Sequence, residues 1–368
     1  MILYALRILR DQPFRLGFTV GGIALCIVLI LFLAAVYRGV REGSIDYIRA
    51  NEADLWVLQG SATNILRGSS ILLQAHGGVL ENVEGVETVA PVFFLLSSVT
   101  IGERSSTVYL TGFESRTGLG GPPRLAGGRI AAGEGEIVLD RSFARKFGLV
   151  LEDTVRIRNQ TLRVVGLSEG TNMFVIQYAF VTLEQARNLA GYPGLVTCFL
   201  VRLKDPADRE RVRADIREDF EDLEVFTHDE FLANNIREME SGFLPLLLVL
   251  ALLGAVVLTI ILSLILSMNI LERRNDFAVL KALGSPRRTL RVIVMAQAFI
   301  LGWAGSLAGF VAIGPLAGVV ETLAPEVSTR IEMTMLGATF GSTGLMNLLS
   351  GWIALRRIRS VYPLEVFR

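Results

Sequence analysis

The chain has 368 residues, 51% of them hydrophobic and 20% charged, with 36 Lys and Arg balancing 36 Asp and Glu. The zero net charge argues against a nucleic-acid partner, and the apolar excess excludes an ordinary soluble globular protein. The two cysteines exclude a disulfide framework; Cys26 in an apolar run and Cys198 in a polar region read as small hydrophobes.

The apolar excess falls in four charge-free runs, 16–36, 243–270, 292–320 and 333–355. Each exceeds the roughly 18–20 residues that cross about 30 Å of hydrocarbon, so four transmembrane helices are predicted. A cleaved signal peptide is the weaker reading of the first run, which is too long for one and is followed by three more. Short flanks set the orientation. Arg7, Arg10 and Arg15 precede the first run. Arg273, Arg274, Lys281, Arg287, Arg288 and Arg291 lie between the second and third, and Arg356, Arg357, Arg359 and Arg368 follow the fourth. Between the third and fourth stand Glu321, Glu326 and Glu332 against Arg330 alone. The positive-inside rule then predicts cytoplasmic termini, a cytoplasmic segment 271–287, a short external loop 321–332 and a large extracytoplasmic domain 37–242.

That domain reads as mixed α/β. "ETVAPVFFLLSSVTI" and "STVYLTGF" are strands joined by a turn at Gly102-Glu103. "EIVLDRSFARKFGLVLEDTVRI" reads as strand, short helix, strand, with Asp140 as helix cap and Gly148 as stop. Thr182 and Gln185 form a capping-box pattern, as do Thr227 and Glu230, the latter with Phe226 and Phe231 spaced for a hydrophobic staple. "CFLVRL" and "LEVFT" are strands, and "DRERVRADIREDF" is an amphipathic helix on Val212, Ile216 and Phe220. A β-rich insertion is expected near 127–189. The glycine-rich segment 118–128 lacks a phosphate-loop pattern and reads as a linker. His76 and His228 have no ligand-spaced neighbours, and no Ser/His/Asp set or paired carboxylates stand out, so neither a metal site nor catalysis is expected.

Within the runs, Gly17/Gly21, Gly305/Gly309 and Gly337/Gly341 are spaced GxxxG. Such pairs let helices approach closely. Two readings stand, a dimer interface and packing within one protomer. Thr259, Ser263 and Ser267 form a polar stripe suited to interhelical hydrogen bonds. No run carries a central charge, which argues against ion-coupled transport. The second run is about 42 Å long as a helix and predicts a rod continuing outward into the helix from His228, with Gly242 and Pro245 where a bend is accommodated.

The segment "LERRNDFAVLKALGSPRRTL" between the second and third runs sets Phe277, Leu280 and Leu283 on one side of a helix, with Asp276 and Lys281 off it. Gly284 stops that helix and Ser285-Pro286 starts the next. An apolar face at the cytoplasmic surface suits a partner's groove; a polar turn resting on headgroups is the plainer reading.

This segment resembles the coupling helix of FtsX/MacB-type (type VII) ABC transporter permeases, whose pattern is approximately E-R-x-x-E-[IL]-A-[VIL]-[LM]-[KR]-A-[LI]-G. Glu272, Arg273, Ala278, Val279, Leu280, Lys281, Ala282, Leu283 and Gly284 match, with Asp276 in place of the usual Glu and Phe277 in place of Ile or Leu. "ADLWVLQG", "GGRIAAGEGEIVLDRSFARKFGLVLEDTVRI" and the closing "ALRRIRSVYPLEVFR" also resemble that family, as does the order of one span, an outer domain and three spans. The resemblance implies a MacB-like periplasmic core domain inserted between the first and second helices, in a bacterial inner-membrane protein. It implies an interfacial helix at 1–15 and a cytoplasmic tail at 356–368. Glu272, Arg273, Arg274, Asp276, Phe277, Leu280, Lys281, Leu283 and Gly284 would couple to the ATPase. Implied partners are two copies of a cytoplasmic ABC ATPase, a second permease, identical or homologous, and a periplasmic adaptor. No cofactor binds the chain directly; ATP and Mg are used by the partner. The implied function is mechanotransmission that exports or extrudes a lipid, lipoprotein, peptide or drug. The alternative is a non-transporting permease that activates an extracytoplasmic enzyme, as cell-division members do.

Overall fold

The computed structural model describes residues 13–65, 70–173, 176–242, 244–272, 279, 286–325 and 333–358. The chain divides into two compact units, one holding the long apolar helices and the other residues 38–244.

The first helix, α1 (Pro13–Ala50), is 38 residues long and does not stop at 36 as the apolar run suggests. The polar continuation contains no proline, and Arg38 pairs with Glu42 one turn on at 2.6 Å. The helix ends where Asn51 folds its side-chain amide back onto the Tyr47 carbonyl, 2.9 Å away.

The second unit follows in chain order. It comprises β1 (Leu55–Gln59), β2 (Leu72–Leu73), α2 (Ala75–Leu80), β3 (Val86–Ile101), β4 (Arg104–Phe113) and β5 (Arg124–Gly128). Next come β6 (Glu136–Asp140), α3 (Arg141–Phe147), β7 (Thr154–Ile157), β8 (Gln160–Glu169), β9 (Gln177–Thr182) and α4 (Leu183–Ala190). The unit ends with β10 (Leu195–Val196), β11 (Cys198–Leu203), α5 (Arg209–Asp219), β12 (Leu223–Thr227) and α6 (His228–Ser241).

One sheet runs β12-β1-β11-β3-β4-β9-β6-β8-β5. The 16-residue strand β3 is its spine. The Val86–Val92 end pairs with β11 and the Phe93–Ile101 end with β4. Strand β7 bridges β8 back to β3 through Val99 opposite Ile157. The strands β3, β4, β9, β6, β8 and β7 thus form a closed ring, which removes their exposed edges. The stretch 127–189, expected to be a β-rich insertion, holds β6 to β9 and pairs with the rest of the sheet, β9 in parallel with β4 and β7 with β3.

Local signals translate into local geometry. Asp140 caps α3 by accepting the Ser142 N–H at 2.8 Å, and Gly148 ends the helix at φ 69°. Thr227 and Glu230 exchange both capping-box hydrogen bonds, and the Phe226 and Phe231 rings lie 6.0 Å apart. The Thr182/Gln185 box is only half made. Thr182 accepts the Gln185 N–H at 3.3 Å, but the Gln185 side chain turns away to accept from Gly135 N–H at 3.0 Å and to bond Gln160.

The helical unit adds α7 (Leu244–Glu272), α8 (Arg287–Leu323) and α9 (Met333–Ile358) to the start of α1. Among the described residues, three helices are long and apolar enough to cross a membrane: Leu16–Ala50, Leu244–Glu272 and Arg291–Leu323. Helix α9 has 26 residues, but its Gly, Ser, Thr and Asn content holds its hydropathy below theirs. The predicted rod from His228 through the second run is interrupted. Gly242 lies between α6 and α7 at φ −93° and ψ −107°, outside helical geometry. Helix α1, by contrast, runs from the first apolar run to Ala50 without a break.

Candidate functional site

Of the predicted coupling residues, Glu272 is described, exposed at the end of α7. Val279 is 55% exposed. Arg273, Arg274, Asp276, Phe277, Leu280, Lys281, Leu283 and Gly284 lie outside the described residues. The chain returns at Pro286 and Arg288, both exposed, as α8 begins.

The three glycine pairs separate into two kinds. A Cβ at Gly305 would meet Ile23 Cβ at 2.5 Å, and one at Gly309 would meet Ile27 Cβ at 2.9 Å. This pair seats α8 directly against α1, so it serves packing within the protomer. Gly17, Gly21, Gly337 and Gly341 have nothing within 4 Å of an added Cβ. The α7 polar stripe works differently from the interhelical role expected of it. Thr259 and Ser267 donate back to carbonyls one turn earlier in their own helix, at 2.8 and 2.7 Å. An interhelical contact comes from α9, where the Ser350 hydroxyl lies 3.0 Å from the Thr259 carbonyl and 2.7 Å from the Met346 carbonyl of its own helix, and shares its one proton between them. Sequence reading missed the buried amides Gln297 and Asn347, whose position inside the bundle single-run hydropathy does not reveal.

In the second unit the segment expected to be a linker is instead a clamp. Leu119 and Gly120 are buried. The Tyr47 hydroxyl, on the last turns of α1, donates to the Gly120 carbonyl at 2.8 Å. Asn51 accepts the Gly120 N–H, also at 2.8 Å. Tyr47 stacks on Tyr178 of β9 at 4.7 Å and meets Phe94 of β3 edge-on at 5.9 Å. Helix α1 thereby ends in the aromatic core of this unit.

Beside that core lies a cavity of about 320 Å³. Its walls include Leu58, Phe94, Leu95, Tyr109, Leu195 and Cys198. Phe94 and Tyr109 stack with centroids 5.3 Å apart. Burial pushes the Cys198 thiol and the Tyr109 phenol well above their ordinary pKa, so both stay neutral. Sequence reading missed this cavity because its wall residues come from five separate stretches of chain; the run of paired aromatics and leucines in "FFLL" was the one local signal.

A polar knot holds the β5–β6 connection. Glu136 pairs with Arg129 through both carboxylate oxygens, with Nη1 to Oε2 at 2.8 Å, and accepts the Ala132 and Gly133 N–H groups at 3.1 and 3.3 Å. The Arg129 hydrogen bonds, aided by these backbone donors, pull its pKa down to about 2.

Residues 16–219 match the MacB-like periplasmic core domain, and residues 248–363 match the FtsX-like permease C-terminal domain. The chain belongs to the FtsX/MacB-type permease family. The permease is 24% identical over 368 residues to an uncharacterized ABC transporter permease of Mycobacterium tuberculosis, covering 100% of this chain and 99% of the relative. It is 26% identical over 228 residues to an uncharacterized ABC transporter permease of Methanocaldococcus jannaschii, covering 59% of this chain and 57% of that one. Among solved structures it is similar to the periplasmic region of MacB from Actinobacillus actinomycetemcomitans, at 15% identity and TM-score 0.39, over 54% of this chain and 98% of that one. It is also similar to the extracellular domain of the ABC-type transporter YknZ from Gram-positive bacteria, at 14% identity and TM-score 0.38, over 48% of this chain and 100% of that one. The protein is thus a membrane-embedded permease subunit of an ABC transporter, and membership implies an ATPase partner.

Proposed function

We propose that this permease converts ATP-driven motion of a separate ATPase into movement of its extracytoplasmic domain, and so exports or extrudes a substrate. Two ATPase copies, using ATP and Mg, dock on the segment 272–284 beneath a pair of permeases, identical or homologous. The chain crosses a bacterial inner membrane four times, with both termini in the cytoplasm. A periplasmic adaptor completes the assembly where an outer membrane must also be crossed.

One observation carries the reading: a MacB-like core domain and an FtsX-like permease domain stand in one chain, and the permease domain contains a charged segment with a small apolar face. The continuity of α1 from an apolar run into the core of the outer unit gives motion a physical route. The basic flanks of 272–284 support the orientation.

The test is reconstitution with the cognate ATPase. Leu280→Asp places a charge on the docking face, and Gly284→Pro alters the helix stop. Both are expected to abolish ATPase binding or its stimulation while membrane insertion persists. Normal coupled activity in both variants overturns the reading. Stimulation by an extracytoplasmic protein, with none by lipids or drugs, would favour a signalling permease instead.

A further inference from the structure

The cavity of about 320 Å³ in the second unit falls in the range of small-ligand sites, about 300–1,000 Å³. No charged side chain is among its described lining residues. Several polar groups that line it are already engaged, and Asn64 lines it as well, its amide 3.4 Å from the Thr63 hydroxyl. The Tyr109 hydroxyl donates to the Ile65 carbonyl at 2.5 Å. The Thr197 hydroxyl donates to the Val92 carbonyl and accepts the Phe94 N–H, both at 3.0 Å. Ser70 accepts the Gln59 N–H at 2.9 Å, and the Ile71 N–H goes to the Gln59 side chain at 3.1 Å.

These pairings decide the chemistry of the occupant. Water needs two to four polar partners, and an apolar cavity that offers none stays dry and takes apolar guests. A peptide brings a backbone N–H and C=O at every residue that cost free energy unless paired, and the Tyr109 and Thr197 hydroxyls on this wall already donate to the protein's own carbonyls. An alkyl chain needs only apolar contact, and the stacked Phe94 and Tyr109 rings provide a flat wall for it. Two of the described lining residues carry exposed apolar surface. Ile71 is 57% exposed and Tyr192 is 58% exposed.

We propose that this cavity binds a single alkyl chain of an amphiphile on the extracytoplasmic side. The proposal deepens the export reading by naming the class of substrate, and it rests on that reading for its biological role. The guest would sit one ring from α1, since Phe94 lines the cavity and meets Tyr47 edge-on at 5.9 Å. Occupancy and the position of the α1 terminus are then linked through packed aromatic side chains.

The experiment uses the full chain in lipid nanodiscs, without ATPase or nucleotide. The probe is decanoic acid carrying a diazirine near its methyl end, and adducts are mapped by peptide mass spectrometry. Adducts are expected on Leu95, Tyr109 or Tyr192, alongside adducts on the apolar helices from probe dissolved in lipid. Leu195→Trp fills the cavity and is expected to cut the cavity adducts about tenfold, the loss that follows from displacing roughly two buried methylene groups. Helix adducts serve as the internal reference and should not change. Ile71→Trp, on the exposed rim, is the second variant and avoids strain in the interior. Three results overturn the proposal: wild-type adducts confined to the apolar helices, cavity adducts undiminished in both variants, or labelling of the cavity by a diazirine-bearing leucine peptide but not by the acid. Coupling to the ATPase is read separately, so failure here leaves the permease reading standing, and failure there leaves alkyl binding to be judged by the adducts.

Discussion

Tyr47 reaches from the last turns of a 38-residue helix to donate its hydroxyl to the carbonyl of Gly120, 2.8 Å away and 73 positions along the chain. One turn later Asn51 accepts the N–H of the same glycine and donates to the Tyr47 carbonyl, which fixes the orientation of its amide. Two hydrogen bonds thus hold the helix end against a loop that sequence alone reads as slack. Tyr47→Phe leaves the buried Gly120 carbonyl unpaired and is expected to cost about 1–3 kcal/mol. Asn51→Ala should cost a similar amount. Because the two share one partner, the double variant should lose less than the sum of the singles. Unfolding of the purified permease followed by circular dichroism measures all three; strict additivity would show that the clamp does not act as a unit.

The glycine pairs give a contrast of opposite sign. Gly305→Leu and Gly309→Leu drive a side chain into Ile23 and Ile27 on α1 and are expected to destabilise the bundle by about 1–3 kcal/mol each. Gly17→Leu and Gly341→Leu meet open space and should leave the protomer intact. Folded yield after detergent extraction reads this difference. Equal yields for all four would contradict the close approach of α1 and α8.

Glu136 makes stability depend on acid pH. Its folded pKa, about 2, lies below the ordinary value of 4.5. A depressed carboxylate stabilises the fold fully above its unfolded pKa, and that contribution disappears as pH falls through the folded value. Glu136→Gln is therefore expected to be less stable than the parent at neutral pH, with the gap closing between about pH 4.5 and pH 2. Unfolding midpoints across that range check the sign; a gap that widens on acidification would contradict it.

The capping box at α6 gives the most local test. Thr227→Ala removes the acceptor of the Glu230 N–H and should cost about 1 kcal/mol. Gln185→Ala should act through Gly135 instead, since the Gln185 side chain serves that N–H rather than its own helix cap. Amide exchange at Gly135 measures this directly, and unchanged protection there would contradict the assignment.

What could be read in advance follows the distance over which each determinant acts. Asp140, Gly148, Thr227 and Glu230 do their work within four residues, and the sequence pattern predicts their geometry correctly. The capping box at Thr182 failed in its second half because Gln185 found partners 25 and 50 positions away. The charge-free run 16–36 bounds a membrane span and carries no signal for where its helix ends, and Arg38, Glu42 and the rest of the following stretch continue that helix to Ala50 as a polar surface. The ring of six strands depends on Val99 meeting Ile157, a pairing that periodicity does not encode. The cavity likewise exists only once β3, β4 and β11 are side by side. The coupling segment shows the reverse case. Its nine predicted residues were legible as a motif, and all but Glu272 lie outside the described residues.

The central claim is that the segment 272–284 faces the cytoplasm while residues 38–242 face the other side. Single cysteines at Lys281→Cys and Glu103→Cys, probed in intact cells with a membrane-impermeant maleimide, test it most directly. Glu103 sits exposed at the turn between β3 and β4. The account predicts immediate labelling of Glu103→Cys and labelling of Lys281→Cys only after the membrane is opened. Labelling of Lys281→Cys in intact cells would contradict it.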